Sequence, residues 1–284
     1  MTGINRSKPR KSFIFVPGTK TDLYEKAVKT GANIICLELE DGIAPQDKAL
    51  ARDAVVKFLE SNRNAESEPE QVIRVNPINT AEGMKDLLVL LKCKKPPASI
   101  MFPKINNPEE VALVDDLFED FEVPTRIQII IETNHGLEAA FEIAQRSNRT
   151  DALFFGGVDM AAELRCSLDW DALAYGRSRV VHAAAAAELD VLDVPFLDLS
   201  DLKGLKHEAL KAKALGFTGK GAIHPSQIAI INQVFMPSKE ELNYAQKIIN
   251  EFERASTGLI VIDGKLIEKP VLRRMYRILA SASK

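Results

Sequence analysis

Eight short apolar runs, each closed by a polar or turn-forming residue and followed by an amphipathic stretch, constrain this 284-residue chain more than any other feature. They are SFIFVPG, NIICLEL, QVIRVNP, ASIMFPK, RIQIIIET, ALFFGG, ELDVLDVP and KGAIHP. Runs apolar nearly throughout are what parallel strands covered on both faces require. Helix-spaced segments fall between them, at 19–31, 47–60, 83–91, 107–121, 137–146, 171–187, 202–215 and 225–234. In the second of these, Ala51, Ala54, Val55, Phe58 and Leu59 form one apolar stripe. Eight such units within about 230 residues predict a TIM (β/α)8 barrel, in the α/β class, over residues 1–237. A polar connector is expected at 61–71, SNRNAESEPEQ. The remainder, 238–284, predicts a helix, a hairpin in GLIVIDGKLI and a last amphipathic helix, which together make a C-terminal helical and hairpin extension.

Composition narrows the function classes. With 37 Lys and Arg against 40 Asp and Glu, the net charge of −3 provides no broad basic footprint, so neither nucleic acid nor an anionic membrane is an expected partner. No apolar stretch approaches the 18 residues of a membrane span, and the basic start MTGINRSKPRKS precedes an apolar run of only Phe13–Val16, too short for a secretory leader. Cys36, Cys93 and Cys166 lie far apart without CxxC spacing, so they read as buried thiols of a reducing compartment rather than a disulfide or zinc framework. The expected location is cytoplasmic.

In barrels the reactive groups stand at the carboxyl ends of the strands. Here those ends carry Pro17-Gly18, Glu40-Asp41, Arg74 with Asn76, Lys104, Glu132, Asp159, Asp193 and His224. Asp41, Asn76 and Asp193 are equally well read as loop charges or caps, and His224 as a hydrogen-bonded wall residue. Glu132 and Asp159 end two very apolar runs and are expected on one side of the barrel mouth. Two carboxylates so placed repel unless a cation intervenes, and with no Cys or His beside them the hard oxygen ligands favour Mg2+. Arg74 interrupts a strand, where a guanidinium must meet an anion, either Glu40 or a ligand carboxylate. Lys20, Lys104 and Lys220 are expected near the same rim. GFTGKG lacks the spacing of a phosphate-binding Walker loop, which excludes nucleotide hydrolysis of that type.

Taken in order, SFIFVPGTKTD, CLELEDGIAPQDKALAR, RVNPINTAEG, FPKINNPEEV, IIIETNHGLEAAFEIA, FGGVDMAAEL, GFTGKGAIHPSQI and DGKLIEKP resemble the HpcH/HpaI aldolase/citrate lyase family, in its citrate lyase β-subunit-like, citramalyl-CoA and malyl-CoA lyase branch. The resemblance runs from Ser12 to Ala280. It implies a TIM barrel and a Mg2+-dependent carbon–carbon lyase that cleaves a 3-hydroxyacyl-CoA, citramalyl-CoA or malyl-CoA, to acetyl-CoA and an α-keto acid, pyruvate or glyoxylate. A homotrimer or a hexamer built from trimers is implied as well.

By motif, Glu132 and Asp159 match the family's Mg2+ ligands, with Glu132 also facing substrate, and Arg74 matches its substrate-binding arginine. Glu40 and Asp41 match an acidic pair assigned to ordering metal-bound water or Arg74. Pro17, Gly18, Lys20 and Lys104 match the rim that takes the CoA portion. The tail LIEKP matches a segment that packs on a neighbouring subunit and supplies an acid/base; here the residue is Glu268 where the family usually carries Asp. Three alternatives stand beside the lyase: a citryl-thioester lyase subunit acting on an acyl-carrier protein, a malyl-CoA thioesterase or malate-synthase-like activity, and a non-catalytic binding subunit.

Overall fold

The structure, a computed structural model, describes residues 9–61, 69–255 and 258–282. The first eight residues and most of the polar connector expected at 61–71 lie outside the described residues. Eight parallel strands close into a barrel in chain order: β1 (Ser12–Pro17), β2 (Ile34–Glu38), β3 (Glu70–Arg74), β4 (Ser99–Phe102), β5 (Arg126–Ile131), β6 (Thr150–Phe155), β7 (Asp190–Asp193) and β8 (Gly219–Ala222). The eight apolar runs are thus the eight strands, and β1 pairs with β8 to complete the ring.

Helices follow the strands: α1 (Tyr24–Val28), α2 (Lys48–Ser61), α3 (Ala81–Leu91), α4 (Pro108–Asp120), α5 (Asn134–Glu138), α6 (Ala140–Gln145), α7 (Gly157–Leu164), α8 (Ala174–Ala186), α9 (Leu202–Leu215) and α10 (Pro225–Phe235). Asn107 caps α4 by accepting from Glu110 N, with Pro108 at the first helical position. Three segments differ from expectation. The helix expected from residue 19 begins as a tight 3₁₀ stretch, Gly18–Leu23, interrupted at Lys20. The one expected at 137–146 starts earlier, where Thr133 caps it, and breaks at Ala139. Helix α7 was not expected, because GGVD reads as the end of a strand; among the described residues no helix is long and apolar enough to cross a membrane.

Side-chain alternation sorts the barrel interior into layers. The middle layer is apolar: Phe13, Cys36, Val72, Met101, Ile130, Phe154 and Leu192 form one buried cluster. Two residues earlier on their strands come Glu70, Ser99 and Gln128, which make a polar floor in which Glu70 Oε1 accepts from Ser99 Oγ at 2.8 Å and Gln128 Nε2 at 2.9 Å. Arg10 closes this end through Glu70, Asp151 and Asp190. Two residues later on β2 and β3 stand Glu38 and Arg74, which open the functional end.

Within β8, Lys220 corrects the sequence reading. It lies fully buried on β8 rather than on the rim, donating to Asp193 at 2.7 Å, Glu208 at 2.7 Å and the Val194 carbonyl at 2.6 Å. Asp193, read as a loop charge, also holds Arg177 at 2.8 Å and is equally buried. Cys36 and Cys93 are buried as expected, whereas Cys166 is partly exposed.

Residues from Gln233 form a separate compact unit: α11 (Lys239–Arg254), the antiparallel hairpin β9 (Leu259–Ile262) and β10 (Lys265–Glu268), and α12 (Lys269–Ala282). Ser238 and Glu241 complete a capping box at the start of α11. Ala245, Ile248, Ile249, Ile262, Ile267 and Met275 are its core.

Removing one partner of a fully buried ionic cluster leaves an uncompensated charge, a cost of about 3–5 kcal/mol. Lys220→Met is therefore expected to lower unfolding free energy by that amount in a urea titration, and a loss below about 1 kcal/mol would show that the cluster is not a structural anchor.

Candidate active site

Charged side chains from the carboxyl ends of β2 to β6 meet at the barrel mouth. Glu38 and Arg74, inward-facing neighbours in the β2–β3 register, form a buried ion pair through Arg74 Nε and Glu38 Oε2. Arg74 Nη1 also lies 3.2 Å from Glu40 Oε2, and its guanidinium sits over the Phe15 ring at 4.8 Å. Lys104 Nζ donates to Glu40 Oε1 at 2.8 Å and reaches Asp41 at 3.5 Å and Asp159 at 3.7 Å. The backbone N–H of the same residue donates to Glu132 Oε1 at 3.0 Å. A chain of alternating charge, Glu38, Arg74, Glu40, Lys104 and then Asp159 with Glu132, thus crosses the barrel mouth.

Burial sets the protonation behaviour of this chain. It pushes Glu38 up to about 7 against the pull of Arg74, and it raises Glu40 above the ordinary carboxylate value. Glu132 is driven well above its ordinary value, by burial first and then by the negative charges of Glu40 and Asp159. Burial pulls Lys104 down, but its hydrogen bond to Glu40 and the charges of Glu40, Asp41 and Asp159 raise it overall. Glu40 Oε2 is buried without a hydrogen-bond partner.

Loop geometry explains how these groups converge. Gly156 follows β6, and a Cβ there would overlap Cβ and Oε2 of Glu132, so only glycine lets the β6 turn lie against that carboxylate. Helix α7 begins at the next residue and carries Asp159 in its first turn, half-exposed, rather than at a strand end as its sequence position suggested. Gly18 is buried where a Cβ would stand 2.7 Å from the Glu38 carbonyl, so it is needed for packing on β2. Pro17 closes β1 and Lys20 is exposed. His224 is exposed and hydrogen-bonds Ser226 at 2.8 Å, as a wall residue would. Glu268 ends β10, exposed, in the C-terminal unit.

Sequence reasoning missed Glu38, although ELED places two glutamates two residues apart and so on one strand face. It also missed the supports beneath the turn after β2. Lys48 Nζ donates to the carbonyls of Leu39 at 2.8 Å and Glu40 at 2.6 Å and to Asn76 Oδ1 at 2.7 Å. Asn76 in turn donates to Asp86, which accepts from Arg52 at 2.6 Å.

The donor set fits a hard divalent cation. Glu132 is a buried carboxylate raised by adjacent negative charge, Asp159 faces the same region, and no sulfur or imidazole stands with them. Among the described residues no group of three His, Cys, Asp or Glu side chains assembles, so Glu132 and Asp159 would leave the remaining positions to water and substrate, as Mg2+ favours.

The profile of the HpcH/HpaI aldolase/citrate lyase family matches residues 11–225. A mitochondrial citramalyl-CoA lyase of Mus musculus is 29% identical over 97% of this chain and 86% of its own length. A (3S)-malyl-CoA thioesterase of Cereibacter sphaeroides is 33% identical over 98% of this chain and 96% of its own length. The CitE protein of Mycobacterium tuberculosis, crystallised with magnesium, acetoacetate and coenzyme A, superposes with a TM-score of 0.81 at 28% identity over 98% of this chain and 100% of that one. With a closed barrel of eight parallel strands and a family match over residues 11–225, the chain belongs to the HpcH/HpaI aldolase/citrate lyase family and is an enzyme of it.

Proposed function

We propose that this enzyme is a Mg2+-dependent lyase that cleaves a 3-hydroxyacyl-CoA, citramalyl-CoA ahead of malyl-CoA, to acetyl-CoA and pyruvate or glyoxylate. The observation that carries this reading is the convergence of Glu40, Glu132 and Asp159 around Lys104, with Arg74 alongside, at the carboxyl end of the barrel. Glu132 and Asp159 would hold the ion, which supplies Lewis acidity toward the carboxylate and hydroxyl oxygens of the acid portion. Glu38 takes the Nε edge of Arg74 and Glu40 faces Nη1, which leaves Nη2 outside both pairs for an anionic oxygen of the substrate.

Retro-Claisen cleavage removes the proton of the 3-hydroxyl group. The O–H electrons become the new carbonyl of the α-keto acid, and the electrons of the broken carbon–carbon bond pass to the thioester enolate, which takes up a proton to give acetyl-CoA. Glu40 has the properties for holding the water or proton at the hydroxyl, with a raised proton affinity and one buried oxygen outside any hydrogen bond. Arg74 stabilises the developing oxyanion. Pro17, Lys20 and the outer part of Lys104 line the approach for the CoA portion, whereas Gly18, buried against β2, shapes the turn beneath it. Glu268 acts as acid/base from a neighbouring subunit in a homotrimer or a hexamer built from two trimers. A cytoplasmic setting, reducing toward Cys36 and Cys93, belongs to the same reading.

A second reading, thioester hydrolysis, is favoured by the 33% identity to the malyl-CoA thioesterase. Mass-spectrometric detection of products from racemic citramalyl-CoA and malyl-CoA with Mg2+ separates the two. EDTA-sensitive acetyl-CoA with pyruvate or glyoxylate is the expected outcome, whereas free CoA with free citramalate or malate identifies a thioesterase. Glu132→Gln and Asp159→Asn are each expected to abolish the Mg2+-dependent activity with the far-ultraviolet circular dichroism unchanged; full activity in either would overturn the metal assignment.

Protonation gives a stability prediction of definite sign. Unfolded glutamates release their protons near 4.5, whereas Glu38 holds its proton up to about 7 and Glu132 well above its ordinary value. The folded state therefore binds more protons in this interval, and stability falls as pH rises through it. The metal-free protein is expected to melt at progressively lower temperature as pH rises from about 4.5 through 7, with a shallower decline in Glu132→Gln, and Mg2+ is expected to restore stability most at the alkaline end. An unchanged slope in the variant would count against this linkage.

Glu268 is tested by complementation. Mixed oligomers of Glu268→Gln and Glu132→Gln, each inactive alone, should regain part of the activity, and no recovery in oligomers verified as mixed would exclude a site shared between subunits.

A further inference from the structure

Lys104 has φ of +55°, in the left-handed region that is strained for a non-glycine residue. This conformation lets one residue aim two donors at two carboxylates, its N–H at Glu132 Oε1 and its Nζ at Glu40 Oε1. Something must hold it there. Asn106, half-buried in the same turn, donates from Nδ2 to the Lys104 carbonyl at 2.9 Å and accepts at Oδ1 from Thr133 Oγ1 at 2.8 Å. Thr133 is the residue after Glu132, and its Oγ1 also accepts from Gly136 N at 3.0 Å as the cap of α5. Asn106 N is itself fixed by Glu110 Oε2 at 2.8 Å, in the first turn of α4. One side-chain amide thus fastens the turn after β4 to the turn after β5.

We propose that Asn106 is a positioning residue for the cation site: by bonding the Lys104 carbonyl and the Thr133 hydroxyl it locks Lys104 in its left-handed conformation, which keeps the Lys104 N–H on one oxygen of Glu132 and the other oxygen turned toward Gly156 and α7. The inference rests on the reading of Glu132 and Asp159 as the pair that holds a divalent cation. The carboxylate of Glu132 is monodentate toward the protein in this arrangement, with Oε1 engaged by Lys104 and Oε2 lying over the glycine that leaves it room. Without the Asn106 bonds the left-handed strain has no counterweight, Lys104 relaxes to negative φ, and its N–H swings off Glu132. Supporting residues of this kind alter metal affinity by about 10–100-fold when removed.

The test is direct cation binding, read by calorimetric titration of Mg2+ and by electron paramagnetic resonance of free Mn2+, with no substrate present. Asn106→Ala is expected to weaken Mg2+ binding at least about tenfold while the melting temperature of the metal-free protein stays within a few degrees of the parent. Asn106→Leu, close in volume but without hydrogen-bonding capacity, is expected to do the same and stands in if the alanine variant folds poorly. A double-mutant cycle with Lys104→Gly separates positioning from general damage, because glycine adopts positive φ without strain. In the Lys104→Gly background, Asn106→Ala should change Mg2+ affinity by less than about twofold. Parent-like Mg2+ affinity in both single variants overturns the proposal, as does an undiminished effect in the glycine background. Absence of any Mg2+ or Mn2+ binding by the parent protein would instead overturn the cation reading itself, so the two failures are distinguishable.

Discussion

The guanidinium of Arg74 stands on the inner face of a barrel strand, and the acidic mouth is arranged around the need to neutralise it. A charge that deep is retained only with partners close at hand. Glu38, its neighbour across the β2–β3 register, and Glu40, at the turn above, provide them. Pairing one arginine with two carboxylates leaves a surplus negative charge, which Lys104 meets from the turn after β4. Lys104 in turn reaches Asp159 and, through its backbone, Glu132, so the surplus is passed on rather than cancelled. The mouth ends in a net negative region that a hard cation would balance.

The layers below make that arrangement affordable. The apolar middle of the barrel, with Phe13, Met101 and Phe154, separates the mouth from the Arg10, Glu70, Asp151 and Asp190 group at the floor. The ion pairs of each layer are made within that layer, Arg10 with its carboxylates at the floor and Arg74 with Glu38 and Glu40 at the mouth. The turn after β2 is held rigidly by Lys48 and Asn76, which fixes the backbone on either side of Glu40. The carboxylates of the mouth are thus set by the frame rather than by their mutual repulsion.

The strands were legible because parallel barrel strands are apolar on both faces, and a run such as RIQIIIET admits few other readings. The carboxyl-end rule then found Arg74, Glu132 and Lys104 without knowledge of their contacts. It failed where a residue's place depends on loop geometry. Asp159 looked like a strand end because nothing in GGVD marks a helix starting at Gly157, a start made possible by the room that Gly156 leaves beside Glu132. Glu38 was hidden by its own neighbourhood, since the acidic pair after it drew attention from the glutamate inside the strand. Lys220 shows the opposite error: a lysine between glycines reads as loop, yet two carboxylates from elements distant in sequence bury it completely.

The same reasoning bears on why relatives with different outputs share this frame. In the proposed reading, lysing a carbon–carbon bond and hydrolysing a thioester would both begin with an acid portion held by a cation and an arginine, and both require charge to be stabilised at an oxygen as the bond breaks. Arg74 would be that arginine, and Glu132 with Asp159 the pair that would hold the cation. What distinguishes the outcomes is whether water reaches the thioester carbonyl while the acid portion is held, a matter of what covers the mouth rather than of what lies in it. In this chain Asn134 and His135, which follow Thr133, are exposed at the start of α5, with the Asn134 N–H tied to Glu163 on α7 at 2.7 Å. That tie joins the turn after β5 to the helix after β6, beside Glu132 and Asp159.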